Sequence, residues 1–212
     1  MRLRNVKNAN ERIINSKYYF DNPIEYKGKY HAYFKNDNPI HLEIGMGKGD
    51  FIIANALKYP NINFIGLEKF DSVIVRALEK AEELEINNLI MIRADARFID
   101  DIFDHEIDTI YLNFSDPWPK DRHSIRRLTS DIFLKKYENI FEKDKKIVQK
   151  TDNRKLFEYS LKQYVLNDYK IEDISLDLHN DDITDNIETE YEHKFSLKGN
   201  PIYKVSVRKS VK

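Results

Sequence analysis

Apolar residues follow two rhythms along this chain. Short runs at Pro39-Ile40-His41-Leu42-Glu43-Ile44, Ile62-Asn63-Phe64-Ile65-Gly66-Leu67, Leu89-Ile90-Met91-Ile92, Asp108 to Phe114 and Ile147-Val148 read as strands. Between them apolar positions return at helical spacing. Phe51 to Lys58 suits a helix stopped by Tyr59-Pro60. Asp71 or Ser72 can cap a second, with Val73, Ala77, Leu78, Ala81 and Leu84 on one face. Residues 129–143 repeat Phe133, Tyr137, Ile140 and Phe141, and a later helix shows Phe157, Leu161, Tyr164 and Val165. The chain closes with strands near 169–176 and 202–208, where Tyr203, Val205 and Val207 alternate. With no helix expected between them, these two predict a terminal antiparallel pair. Residues 1–38 read as an irregular extension anchored by Tyr18, Tyr19, Phe20, Tyr30, Tyr33 and Phe34.

Strand–helix alternation of this kind predicts an α/β fold, a mostly parallel sheet with helices on both faces. Functional residues in such sheets lie at the carboxyl ends of strands, beside the topological switch point. Glu43 to Gly49, Glu68, Asp95, Asp116 and Asp152 all fall at expected strand ends, which points to one shared site.

The 212 residues suit a single domain, taken as 1–212 with the core at 39–212, and can bury a core without staples. Aromatics at 12% argue against disorder of the whole chain. Absence of cysteine excludes disulfides, thiolate zinc sites and cysteine nucleophiles, and no metal is expected. No apolar run is long enough to span a membrane, and Met1 to Arg12 lacks the apolar stretch of a secretory signal, so a soluble cytoplasmic protein is expected. The net charge of −1 hides segregation. Arg2, Arg4, Lys7, Arg12 and Lys17 make one end basic, as do Lys204, Arg208, Lys209 and Lys212 at the other; Asp177 to Glu192 is purely acidic among its charged residues. Solvated faces account for each run taken singly.

Three of the six glycines, Gly45, Gly47 and Gly49, fall in Glu43-Ile44-Gly45-Met46-Gly47-Lys48-Gly49, between a strand and a helix. A tight turn alone would explain the pattern, but Glu68 ends the next strand about 20 residues on, where a ribose-binding carboxylate belongs. Asp50 stands where the dinucleotide fingerprint needs its third glycine, and a carboxylate at a helix N-terminus opposes a pyrophosphate. A cationic ligand reverses that preference. S-adenosylmethionine carries a sulfonium and an ammonium and no phosphate, and Glu43, Glu68 and Asp95 suit it better than they suit a dinucleotide. A strand-end cap explains Asp95 equally well.

The second special loop is Asn113-Phe114-Ser115-Asp116-Pro117-Trp118-Pro119-Lys120. Two prolines around the only tryptophan stiffen it, and a carboxylate beside an aromatic wall suits guanine, whose N1–H and N2 amine are donors. A structural turn with Trp118 in the core is the alternative. Downstream, Lys120-Asp121-Arg122-His123-Ser124-Ile125-Arg126-Arg127 suits phosphate contacts from RNA, or a solvated helix entry.

These segments, with K-T-D-N-R from Lys150 and T-E-Y-E-x-K-F from Thr189, resemble the bacterial tRNA (guanine-N7-)-methyltransferases from about Ile40 to Tyr203. The resemblance implies a Rossmann-like class I methyltransferase with a seven-stranded sheet whose last strand is antiparallel. It implies S-adenosylmethionine as cofactor, tRNA as partner and methylation of the variable-loop guanosine at position 46. It assigns Glu43, Gly45, Gly47, Gly49, Glu68, Asp95 and Asp116 to the cofactor, with Asp116 also catalytic. Lys120, Asp152, Thr189, Glu190, Tyr191 and Glu192 fall to the substrate, and Arg122, His123, Arg126 and Arg127 to RNA. Ile125 departs from the lysine usual in the family, and Asp121 dilutes a position often basic. A monomer or homodimer is expected. Another S-adenosylmethionine-dependent methyltransferase, or a silent RNA-binding module on the same fold, is the competing reading.

Overall fold

The computed structural model describes residues 6–181 and 186–209. The basic Arg2, Arg4 and Lys212 and the acidic Asp182 and Asp185 lie outside the described residues. Seven strands form one sheet: β1 (Ile40–Ile44), β2 (Asn63–Glu68), β3 (Leu89–Arg93), β4 (Ile107–Asn113), β5 (Phe141–Thr151), β6 (Lys170–Ser175) and β7 (Tyr203–Lys209). Their order is β3-β2-β1-β4-β5-β7-β6. The first five run parallel, and β7 lies between β5 and β6, antiparallel to both. The expected sheet with its antiparallel last strand is thus found. Strand order reverses between β1 and β4, so the loops after these two strands flank the switch point.

The helices are α1 (Ala9–Ile14), α2 (Tyr30–Phe34), α3 (Asp50–Lys58), α4 (Asp71–Glu82), α5 (Ile99–Ile102), α6 (Asp131–Glu138), α7 (Arg154–Leu166) and α8 (Glu190–Ser196). Alternation along the strands sorts the core into two layers. Ile65, Leu67, Ile90 and Ile92 pack with α5, α6 and α7 on one face. Phe64, Leu89 and Met91 pack with α3 and α4 on the other.

Several elements differ from expectation. The extension is more regular than its sequence suggests: α1, a 3₁₀ turn at Pro23–Tyr26 and α2 wrap the sheet. The Met91 N–H donates to Tyr18 O and the Phe20 N–H to Met91 O, so the extension covers the β3 edge. Buried Glu106 accepts the N–H groups of Gly28, Tyr30 and Asp104 and staples the rest. The helix expected over 129–143 ends at Glu138, and Phe141 already belongs to β5. Ile140 and Phe141 keep the helical spacing of Phe133 and Tyr137, but Ile140 O accepts from Ile107 N and Phe141 pairs with Ile107. The ladder then slips, because Thr109 faces Lys146 and the polar run on β5 bulges out. On α4 the cap is Phe70, and Ile74 and Val75 take the buried face in place of Val73. On α7 Val165 is exposed, and Leu156 and Ser160 share the inner face with Phe157 and Tyr164. Finally, α8 stands between β6 and β7, where no helix was expected. Among the described residues no helix is long and apolar enough to cross a membrane.

Candidate active site

A cleft of about 750 Å³ opens over the carboxyl ends of β1, β2, β3 and β4, within the size range of small-molecule sites. Gly45, Glu68, Asp95, Asp116, Trp118 and Arg126 all line it. Glu68 and Asp116, from strands on opposite sides of β1, therefore share one opening.

The glycine loop shapes the inner wall. Gly45 has φ +76°, its N–H bonds Leu67 O, and a Cβ added there meets nothing within 4 Å. Gly49 has φ +79° and precedes α3; a Cβ there would sit 2.9 Å from Ala77 Cβ, so this glycine lets α3 and α4 close up. Gly47 donates its N–H to Glu68 Oε2 at 3.2 Å, while Lys69 and Phe70 donate to Oε1. Burial raises the Glu68 carboxyl above its ordinary value, and these N–H bonds counter the shift. A carboxylate has about four lone-pair sites, so Glu68 retains one for a hydroxyl.

Asp95 both lines the cleft and caps the turn after β3, accepting from Arg97 N at 2.9 Å and pairing with the Arg97 guanidinium at 3.0 Å. Burial pushes its carboxyl up, but the Arg97 bonds outweigh this and hold it below the ordinary value. Asp50 is a correction to the charge reasoning: its carboxylate pairs with Lys80 at 2.5 Å and is absent from the cleft wall. The acidity of the site therefore comes from Glu68, Asp95 and Asp116.

Glu43 lies behind the wall, 1% exposed, its Oε1 accepting from Asn113 Nδ2 at 2.8 Å. Burial raises its carboxyl to about 7.

The proline–tryptophan loop forms the outer wall. Phe114 (φ +50°) and Trp118 (φ +42°) both occupy the left-handed region, at about 1–2 kcal/mol each for residues with a Cβ. Phe114 N–H is fixed on Lys150 O, and Arg127 holds Trp118. It donates Nε to Pro117 O at 2.9 Å and Nη2 to Trp118 O at 3.0 Å, and its guanidinium lies 4.2 Å from the Tyr159 ring. Only 9% exposed, Arg127 is committed to this loop. Lys120, Asp116, Arg122 and Arg126 are exposed, and His123 and Arg126 pack on Trp118.

Thr189 to Glu192 lie at the start of α8 and are absent from the cleft wall. Thr189 and Glu192 form a reciprocal capping box. Glu190 pairs with Lys48 of the glycine loop at 2.7 Å, and the Tyr191 hydroxyl donates to Asp152 at 3.2 Å. Burial and the Asp152 charge raise the Tyr191 hydroxyl to about 12, so it remains a donor. Glu192 is fully buried and receives Lys150 Nζ at 3.0 Å and Asn186 Nδ2 at 2.6 Å.

A family model described as a putative methyltransferase matches residues 37–205. A tRNA (guanine-N(7)-)-methyltransferase of Lachnoclostridium phytofermentans is 53% identical over 207 residues, 97% of each chain. That of Bacillus subtilis is 49% identical over 209 residues, 98% of each. The chain belongs to the tRNA (guanine-N7-)-methyltransferase family. Among solved structures, the 16S rRNA methyltransferase KamB has a TM-score of 0.65 at 12% identity, covering 87% of this chain and 94% of that one. An antibiotic-related methyltransferase gives 0.64 at 15%, covering 85% and 93%. These likenesses establish a class I methyltransferase fold.

Within this tRNA (guanine-N7-)-methyltransferase family member, the cleft fits S-adenosylmethionine on its own chemistry. Acidic groups suit a cation and a diol, apolar Leu67, Phe70 and Ala94 suit a flat base, and Gly45 leaves backbone open. The sequence does not single out Asn113, Lys150, the Lys48–Glu190 contact or His179, whose Nε2 lies 3.2 Å from Glu192 Oε1. Asn113 opens the proline–tryptophan segment and Lys150 opens K-T-D-N-R, so both were in view as motif letters. The T-x-x-E capping signature at Thr189 was the available sign of α8.

Proposed function

We propose that this chain transfers the methyl group of S-adenosylmethionine to N7 of a guanosine in tRNA, the target being position 46 of the variable loop. The observation that carries this reading is the convergence of Glu68, Asp95 and Asp116 on one cleft walled by the Trp118 loop. When bound, S-adenosylmethionine supplies a methyl group on a positively charged sulfur. Glu68, Asp95, the Gly45–Gly49 loop and, from behind, Glu43 hold the cofactor.

Guanine N7 has an in-plane lone pair and no proton, so the chain supplies no general base. Its residues align the reactants, a contribution of up to ~7–11 kcal/mol in favourable cases. Asp116 accepts from N1–H and the N2 amine, holds the base edge, and offsets the positive charge the ring acquires. Asp152, with the Tyr191 hydroxyl on it, and Glu190, paired with Lys48 of the glycine loop, meet the tRNA from outside the cleft wall. Thr189 and Glu192 serve the same segment by capping α8. Lys120, Arg122 and Arg126, exposed beside the cleft, meet phosphates together with His123. Arg127 contributes by fixing the loop that carries them. In this reading the enzyme works in the cytoplasm.

Replacing guanosine 46 by adenosine in a tRNA transcript is expected to abolish methyl uptake; undiminished uptake would overturn the site assignment. Asp116→Ala should lower turnover about 100-fold or more while S-adenosylhomocysteine affinity stays within about threefold by the same reasoning. Retained turnover would remove Asp116 from its role.

A further inference from the structure

Methyl transfer to guanine moves charge as well as carbon. The N7 lone pair forms the new nitrogen–carbon bond while the sulfur–carbon bond breaks, its electron pair staying on sulfur. No proton moves, so the sulfonium becomes a neutral thioether and the purine becomes a flat cation. A group that holds a flat cation better than a flat neutral ring therefore favours the transition state over the bound substrate.

Trp118 already holds such a cation from its own chain. The Arg126 guanidinium, itself flat and positive, lies over the indole 4.9 Å from the ring centroid. The His123 ring meets the same indole at 5.9 Å and 87°. Over Phe70, also on the cleft wall, the cation is merely the sequence neighbour Lys69, whereas Arg126 reaches Trp118 from eight residues away. Trp118, Arg126 and Asp116 all line the cleft. Indole has the strongest negative face of any aromatic side chain. Its position is fixed in advance: Pro117 and Pro119 flank it, and the Pro117 and Trp118 carbonyls accept from Arg127, only 9% exposed. A group held in place this way needs no rearrangement as charge develops.

We propose that Trp118 is a catalytic residue: its indole face receives the target guanine and attracts the ring more strongly as it turns into the N7-methylated cation. Arg126 covers that face in the free protein and passes to a phosphate when the base arrives. This rests on the tRNA methylation reading above. Asp116 and Trp118 then divide the base between them, the carboxylate taking the N1–H and N2 edge and the indole taking the face. The attraction corresponds to a preference of about 2- to 30-fold for the cationic over the neutral ring.

Trp118 is the only tryptophan in the chain, so biosynthetic replacement by fluorinated tryptophans alters this ring alone. Each added fluorine drains the negative face and leaves the shape nearly unchanged. Single-turnover methylation of an unmodified tRNA transcript should slow stepwise from the unsubstituted to the trifluoro protein, toward a total of about 2- to 30-fold. The Michaelis constant for that neutral substrate should move less than about threefold on the same scale. Binding supplies a readout independent of turnover. With S-adenosylhomocysteine present, in mildly acidic buffer where the methylated base keeps its N1 proton, the unsubstituted protein should prefer a transcript carrying 7-methylguanosine to the unmodified one, and the preference should fade along the series. Equal single-turnover rates throughout overturn the catalytic role, and a preference that fluorine does not touch overturns its cation–π origin. If the trifluoro protein does not fold, the monofluoro form and Trp118→Phe, whose ring has a weaker negative face, decide by the same two measurements. Unsubstituted protein that leaves tRNA unmethylated overturns the underlying reading instead.

Discussion

A buried ion pair ties helix α8 to the sheet, with the Tyr191 ring on Phe114 beside it, and this sets up a measurable failure. Glu192 is its only buried residue, and Lys150, 4% exposed, is its counter-ion at 3.0 Å. Burial lowers the Lys150 ammonium from its ordinary value, and the charge of Glu192 opposes that shift. Lys150→Met would leave the buried Glu192 carboxylate with only the His179 ring at 3.2 Å and the Asn186 amide, a loss of about 3–5 kcal/mol for one partner of a buried pair. Detachment of α8 avoids that cost, since Glu192 then hydrates while the strands stay paired. The helix has only seven residues, too few to persist alone. Amide hydrogen exchange at residues 190–196 should therefore rise to near-unprotected rates, with β1 to β4 unchanged. Tyr191 leaves Asp152 and Glu190 leaves Lys48, so the Michaelis constant for tRNA should rise while S-adenosylhomocysteine affinity holds. The double variant Lys150→Met/Glu192→Leu should restore protection, because apolar replacement of both partners is often neutral. Protection of α8 in Lys150→Met equal to wild type would refute this account of its anchoring.

Glu43 makes stability pH-dependent. Its folded value of about 7 lies above the ordinary 4.5, so its contribution is full below about pH 4.5 and gone above about pH 7, a span of about 3 kcal/mol. Glu43→Gln should flatten that decline in urea unfolding; parallel wild-type and variant curves would contradict it. Gly49→Ala forces a Cβ at φ +79° against Ala77 and should cost about 2–4 kcal/mol, strain plus overpacking. A melting temperature within a degree of wild type would show that the helices yield freely. Arg127→Ala removes both bonds to the Pro117 and Trp118 carbonyls, so Trp118 fluorescence anisotropy should fall and turnover drop; an unchanged anisotropy would count against the clamp.

Much of the fold was legible because strand-end chemistry and periodicity agree here. Strand ends alone point to Glu43, Glu68, Asp95, Asp116 and Asp152 as one site; Glu68, Asp95 and Asp116 line one cleft, whereas Glu43 lies behind it and Asp152 is absent from its wall. Legibility failed where long-range contact overrides local pattern. Ile140 and Phe141 match a helical stripe, but β4 captures Phe141 as strand and Ile140, in the turn before it, accepts from Ile107 N. Asp50 looked like a charge on the ligand until Lys80, thirty residues away, took it. Arg127 and Glu192 look like surface charges in sequence, yet each is buried on partners that only the fold brings near. Asn113 carries no signal by residue type, because its bond to buried Glu43 exists only once β1 and β4 pair.

Methyl transfer to a single tRNA nucleotide is read out by incubating the protein with radiolabelled S-adenosylmethionine and an unmodified tRNA transcript. Chemistry selective for 7-methylguanosine then cuts the chain at the modified nucleotide. Label uptake and a single scission at position 46 are expected. Label that resists scission, scission elsewhere, or no uptake at all would contradict transfer to that nucleotide.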